Sequence, residues 1–289
     1  MTVIESPAPV DVGRPTAAGE NVPSEHRIRR GLVRGALTLV GLLALLYVLW
    51  VGFLWWFEVD SFFGKSPSQV WEWLTDAESG AERRNELLDA FWYTARESAL
   101  GYVFGTMVAV VVASLFVLSS ALERAVMPIA LALRSVPIVA LVPLLAYVFG
   151  RGMLGSMVII TIIVWFPTLV LVTTGLRSVS AEAVDLMSAY HASPLTTLWK
   201  VRMPSAVPAL FASAKIGVPL AVLGSLLNGW LSSGTGLGNL MVLSTTSSQY
   251  SRLWAAVALV TFVSVVVVAV IDAVETMAIA RFAPERGSR

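Results

Sequence analysis

Six apolar stretches, near 33–56, 97–118, 125–149, 153–175, 206–230 and 252–278, constrain what this chain of 289 residues can become. Each is long enough, at ~1.5 Å per helical residue, to cross a hydrocarbon core of roughly 30 Å. In lipid every backbone amide must find its partner inside the protein, so the expected fold is all-α, a polytopic membrane protein with six transmembrane helices. Composition agrees: 56% of the residues are apolar, 13% are charged and mean hydropathy is +0.76. An ordinary water-soluble domain is excluded. There is no Cys, and the two histidines, His26 and His191, lie in separate polar segments. Disulfides, thiol chemistry and a metal centre therefore have no residues to build on.

Charge sets the orientation. Arg14, Arg27, Arg29, Arg30 and Arg34 at the amino end, Arg177, Lys200 and Arg202 between the fourth and fifth stretches, and Arg281, Arg286 and Arg289 at the end share one side. Basic segments stay in the cytoplasm, so that side is cytoplasmic and both termini face inward. The opposite side carries Lys65, Arg83, Arg84, Arg151 and Arg252, and is acidic between the first two stretches, with Glu58, Asp60, Glu72, Asp76, Glu78, Glu82, Glu86 and Asp89. The first stretch follows roughly thirty polar residues and outruns a signal-peptide core, so it reads as a span.

The expected organisation is a disordered cytoplasmic tail over 1–32, a transmembrane domain over 33–280 and a second cytoplasmic tail over 281–289. Trp50, Phe53, Trp55, Trp56 and Phe57 suit the outer membrane interface. Ser66-Pro67 opens a short interfacial helix over 66–76, with Ser66 as its cap. After a Ser79-Gly80 break, the charged run 82–89 reads as a solvated face. Pro128, Pro137 and Pro143 lie in the third stretch, Pro167 in the fourth, Pro208 and Pro219 in the fifth. Such helices kink, which lipid tolerates where neighbours or a wet cavity repair the lost hydrogen bond.

Residues 176–205 are too polar for lipid and too long for a turn. Ser180 caps one expected helix, with Glu182 and Asp185 in its early turns and Leu186, Met187 and Tyr190 on one face. A second follows Ser193-Pro194 and carries Leu195, Leu198, Trp199 and Val201 before Pro204. Two short helices at an angle make a knob, with anchors spaced for a partner's groove. Within the spans, Arg134 and Lys215 are the ionisable groups clear of the ends. Each serves either a pathway or a snorkelling role. Ser135, Ser225, Asn228 and Asn239 add hydrogen-bonding groups, with Asn228 either facing a path in the outer half or joining helices.

The knob carries a pattern: Asp185-Leu186-Met187, three residues, His191, nine residues, Val201-Arg202-Met203-Pro204. Its spacing resembles the cytoplasmic coupling motif of importer-type ABC transporter permeases, Glu-Ala-Ala, three residues, Gly, nine residues, Ile, any residue, Leu-Pro. The resemblance extends over most of 60–280 through Leu133-Arg134-Ser135-Val136-Pro137, Ala140-Leu141-Val142-Pro143-Leu144, Gly229-Trp230-Leu231, Gly234-Thr235-Gly236-Leu237-Gly238 and Asp272. It looks nearest to the branch for sulfonates, nitrate and taurine.

That resemblance implies a bacterial inner-membrane permease forming half of a pathway for a small polar or anionic solute. An external binding protein would deliver the solute, a second permease copy or paralogue would complete the pathway, and separate cytoplasmic ABC ATPase subunits would drive it. Coupling would fall to Asp185, Leu186, Met187, Tyr190, His191, Val201, Met203 and Pro204, and the pathway to Arg134, Ser135, Ser225 and Asn228. No catalytic, metal or cofactor residue and no nucleic-acid partner is implied. The chain lacks a phosphate-binding Gly-Lys-Ser/Thr loop, so ATP and magnesium would belong to the ATPase.

Two departures matter. Asp185 and His191 stand where the family has Glu and Gly, which leaves a heterodimer of permeases open; His is among the residues that tolerate the left-handed conformation a turn here needs. Gly229 stands where the family has Glu before the position of Trp230. Two other classes of membrane protein fit the sequence less well. A membrane enzyme lacks a His cluster, paired intramembrane carboxylates or a nucleophile elbow, and a secondary transporter would need repeated halves and a membrane-centred acidic residue, neither of which the sequence shows.

Overall fold

In the computed structural model, which describes residues 25–282, every regular element is helical. The expected disordered lead, up to residue 24, and the last seven residues of the expected carboxyl tail fall outside the described residues. The elements run α1 Glu25–Trp56, α2 Pro67–Thr75, α3 Gly80–Leu118, α4 Ser120–Ser135, α5 Ile138–Phe149, α6 Met153–Arg177, α7 Ala181–Ala189 and α8 Pro194–Thr197. A π-helical turn over Leu198–Arg202 leads to α9 Met203–Ser205 and α10 Val207–Asn228, and a second π turn, Gly229–Ser233, to α11 Gly236–Thr246 and α12 Tyr250–Phe282. Helix α1 starts ahead of the boundary expected at 33.

Helices α3, α6, α10 and α12 are each long and apolar enough to cross a membrane. The expected third span is corrected: α4 and α5 form a pair bent by 101°. Of its three prolines only Pro137 breaks the helix. Val136, placed before it, takes the extended conformation (φ −76°, ψ 126°) that the proline ring enforces on its predecessor. Pro128 and Pro143 are absorbed inside α4 and α5. Pro208, expected to interrupt the fifth span, instead sits in the first turn of α10, where its missing N–H costs nothing.

The centre of the molecule is the packing of α3 against α6 and of α6 against α10. Its seam is built of small residues: a Cβ on Gly101 of α3 would stand 2.5 Å from the Cβ of Ile160 of α6. Small-residue seams of this kind let helix backbones approach where lipid provides no hydrophobic drive between helices. Near one end of this trio, Ala109, Ala113, Phe116, Leu169, Val172 and Leu176 close a core that also takes in Leu198 and Ala206. At the other end, α2 and α11 pack on α3 and α12 through Val70, Leu87, Leu237, Leu240, Ala255 and Ala256. The expected cap of α2 is present as a capping box, Ser66 accepting from the Gln69 amide while the Gln69 side chain accepts from the Ser66 amide. Trp50, expected as an interface anchor, stacks on Trp254 with centroids 5.2 Å apart, while Trp55, Trp56 and Phe57 remain exposed.

Candidate functional site: the knob and a buried carboxylate

The knob forms as its capping residues dictate. The Ser180 hydroxyl accepts from the Ala183 amide at the start of α7, and the Ser193 hydroxyl from the Thr196 amide at 3.2 Å at the start of α8. The Glu182 carboxyl is held below its ordinary range by its own backbone N–H and the Ser180 hydroxyl, a charge favourable in a helix's first turn. Helix α7 ends in a Schellman motif: the Ala192 amide donates to the Met187 carbonyl at 3.0 Å and the His191 amide to the Ser188 carbonyl at 2.9 Å. His191 closes it at φ 52°, the left-handed conformation usually given to glycine.

The knob's outer surface is apolar where a partner would meet it. Tyr190 is 78% exposed and Trp199 64%, with Leu186 and Leu195 exposed beside them and Asp185 and His191 also open to solvent. Of the other expected coupling residues, Pro204 is exposed, whereas Met187, Val201 and Met203 are half-buried. Its inner surface is fixed to the bundle. Leu198 is buried in the core between α3 and α6, and Arg202 donates to the Leu176 carbonyl at 3.1 Å. Arg177 and Glu123 form a two-pronged pair that holds the end of α6 to the start of α4. The knob is thus packed on and hydrogen-bonded to the bundle rather than hung on a loose loop.

Far from the knob along the same three helices, a polar cluster joins them. Glu97 of α3 is 1% exposed, and its carboxylate accepts from the Ser156 hydroxyl of α6 and from the Ser225 hydroxyl of α10 at 2.7 Å. Asn228 of α10 donates to the Ser156 hydroxyl at 2.6 Å, and its own Oδ1 has no partner. Ser225 and Asn228 are 2% and 1% exposed. Within this chain they join helices, Ser225 through Glu97 and Asn228 through Ser156; Glu97 is absent from the expected site residues because it falls at the edge of an apolar stretch.

The backbone packed beside this cluster accounts for Gly229. A Cβ there would meet the Thr235 carbonyl at 2.7 Å and the Asn239 amide at 3.1 Å, so this backbone excludes a glutamate. The carboxylate of this region comes from α3. The glycine-rich turn after it is shaped by need as well: Gly234 and Gly236 have φ 69° and 71°, and the Leu237 amide donates to the buried Thr94 hydroxyl at 2.9 Å.

The two charges expected inside spans find other settings. Arg134 is exposed in the last turn of α4, at the bend, with its guanidinium 5.1 Å from the centroid of the Phe166 ring, and Ser135 beside it returns its hydroxyl to the Ala132 carbonyl. Neither sits in a continuous span, because Pro137 ends the helix there. Lys215 of α10 pairs with Asp272 and, at 2.5 Å, Glu275 of α12. It neither snorkels free nor stands alone, and Asp272 gains a structural partner.

Residues 101–283 match the family described as "Binding-protein-dependent transport system inner membrane component". A probable ABC transporter permease protein of Haemophilus influenzae is 32% identical over 171 residues, 59% of this chain and 70% of that protein. The formylaminopyrimidine transport permease protein ThiX of Halalkalibacterium halodurans is 26% identical over 48% of this chain and 56% of its own length. A putative aliphatic sulfonates transport permease protein of Bacillus subtilis is 23% identical over 60% of this chain and 62% of its own length. Among solved structures, the inward-facing MetNI methionine ABC transporter matches with TM-score 0.57 and 19% identity, over 65% of this chain and 93% of the matched chain.

Proposed function

This chain belongs to the family of binding-protein-dependent transport system inner membrane components, and from that premise we propose how its surfaces divide the work of import. It is a multi-pass permease subunit of an ABC importer, working with an ATPase and a binding protein; ATP hydrolysis lies in the ATPase subunit. In our reading, the knob of α7 and α8 docks in a groove of the cytoplasmic ATPase, with Leu186, Tyr190, Leu195 and Trp199 as apolar anchors and Asp185 against a basic group. Both termini are then cytoplasmic. The chain supplies half of a pathway completed by a second permease, identical or paralogous, for a small polar or anionic solute. The similarity to permeases for formylaminopyrimidine and aliphatic sulfonates supports that solute class.

The observation that carries the reading is the contrast between the two sides of the knob: an exposed apolar face above a base anchored by Leu198 and Arg202. Large exposed apolar patches on a polar segment mark partner surfaces, and a rigid base is what transmits force. The test is Asp185→Lys in the reconstituted transporter. Reversing one charge of a close interfacial pair costs several kcal/mol, so ATPase activity should fall by roughly tenfold or more and uptake should stop, with membrane abundance unchanged. Uptake at the unaltered rate would remove the coupling role.

A further inference from the structure

Helix α4 stops halfway through the bundle. It starts at the knob end, where Glu123 pairs with Arg177, and its last turn sets the Arg134 guanidinium 5.1 Å from the centroid of the Phe166 ring. Phe166 lies inside α6, Met153–Arg177, a helix long enough to cross a membrane. At ~1.5 Å per residue it is roughly 17–20 Å from either end, so Arg134 sits at mid-depth.

Two observations coincide there. The backbone leaves the helix at Val136 and Pro137, where α4 and α5 bend by 101°. Non-helical backbone at membrane depth is tolerated where protein buries it or a watery cavity wets it, not against lipid. Leu133, Arg134, Ser135, Val136 and Pro137 are all exposed in this chain. The second observation is charge. Arg177 pairs with Glu123, Lys215 with Asp272 and Glu275, and Arg252 with Glu86, whereas Arg134 has no carboxylate partner among the described residues. A bare guanidinium facing hydrocarbon at that depth is costly. The bend therefore faces a wetted space.

Three sources of negative charge compete for Arg134. Lipid phosphates stand at headgroup level, about 15 Å away, half the hydrocarbon thickness. A second copy of this chain brings no spare carboxylate to that depth among the described residues. Glu97 is buried under the Ser156 and Ser225 hydroxyls, and Asp272 and Glu275 are taken by Lys215. An anion in transit remains. A guanidinium held over a ring keeps its N–H edge for a two-pronged bond to a carboxylate, sulfonate or similar oxyanion.

We propose that Arg134, at the α4–α5 bend, is the mid-membrane contact for the anionic group of the solute. The proposal rests on the importer reading above and narrows its solute class from polar or anionic to anionic.

The test uses the permease–ATPase complex in nanodiscs and two thiol reagents of similar size, the 2-sulfonatoethyl and 2-(trimethylammonio)ethyl methanethiosulfonates. The first is itself an alkyl sulfonate and stands in for the solute. Ser135→Cys gives this Cys-free chain one thiol beside the guanidinium, and the mass of the permease chain reports its modification. Rates are taken without nucleotide and with ATP and vanadate, each relative to the reagent's rate with a small thiol in solution. The anionic reagent should be favoured over the cationic one. Adding Arg134→Gln should cut that preference roughly tenfold or more, and Arg134→Lys should keep most of it. Yield of the complex reports folding. No reaction with either reagent in either state puts the bend in protein or lipid and overturns the proposal. So does a preference unmoved by Arg134→Gln, which means that a carboxylate of a paralogous permease neutralises Arg134. Absence of any anionic preference with Arg134 in place overturns it too, even where the Gln variant does not assemble. The importer reading fails separately, on the response of uptake and ATPase activity to Asp185→Lys, whatever the labelling shows.

Discussion

Glu97 shows how much one residue decides here. A carboxylate removed from water and from lipid is costly unless its oxygens are hydrogen-bonded, and the Ser156 and Ser225 hydroxyls meet both of them. Each donor belongs to a different helix, so the group ties α3 to α6 and to α10 at once. Glu97→Leu orphans the buried Ser225 hydroxyl, at ~1–3 kcal/mol, and takes from Ser156 its tie to α3, leaving it Asn228 and the Gly152 carbonyl, so it should lower the melting temperature of the detergent-purified complex by several degrees. Glu97→Gln keeps the shape and one acceptor for the two serine hydroxyls, so it should melt closer to wild type. Equal melting temperatures for Leu and wild type would dismiss the tie. The sequence held a signal for this residue: from Thr94 to Ala113 the buried positions of α3 are Thr94, Glu97, Ser98, Gly101, Gly105, Ala109 and Ala113, a helical stripe of small and polar residues. Reading the stripe as one face, rather than reading where the apolar run starts, puts Glu97 inside it.

Among the elements, the ones legible in advance were those whose local chemistry is self-sufficient. Ser66, Ser180 and Ser193 announce helix starts because a hydroxyl before a helix has little else to do; Ser66 and Ser180 cap as expected, and Ser193 caps the helix expected to follow it. His191 falls in the same class, since it stands where the resembled motif has a glycine turn and His can take the left-handed conformation. The bend at Pro137 and helix α11 were not legible, for opposite reasons. Three prolines in one apolar run look alike until Val136 is seen to leave the helical region at only one of them. The glycines at 234, 236 and 238 conceal a helix whose start is set by a distant hydroxyl, that of Thr94. The joint between α7 and α8 can be tested directly. His191→Gly relieves a left-handed side chain and should leave uptake unchanged, with stability equal or raised by up to about 1 kcal/mol; His191→Val, β-branched at positive φ, should cost ~1–2 kcal/mol or more and impair ATPase coupling. An inert Val variant, by uptake and ATPase assays, would show that the turn does not position the knob.

At the scale of the whole molecule the chain has two ends joined by three packed helices. The knob end is anchored through Leu198 into the α3–α6 core, the far end is organised by α2, α11 and the stacked Trp50 and Trp254 rings, and the Glu97 cluster ties the helices that run between them. The proposed division of labour puts the two ends on opposite sides of a membrane, and the basic residues Arg177, Lys200 and Arg202 around the knob argue for the cytoplasmic side there. The absence of cysteine makes this measurable, because any thiol introduced is the sole target for a reagent. Ser188, exposed on α7, and Ser247, exposed in the turn between α11 and α12, mark the two ends without touching either core. In intact cells a membrane-impermeant maleimide should label Ser247→Cys and leave Ser188→Cys untouched until the membrane is opened. Labelling of Ser188→Cys from outside would place the knob beyond the reach of any cytoplasmic ATPase, and with it would fall both the orientation and the coupling role.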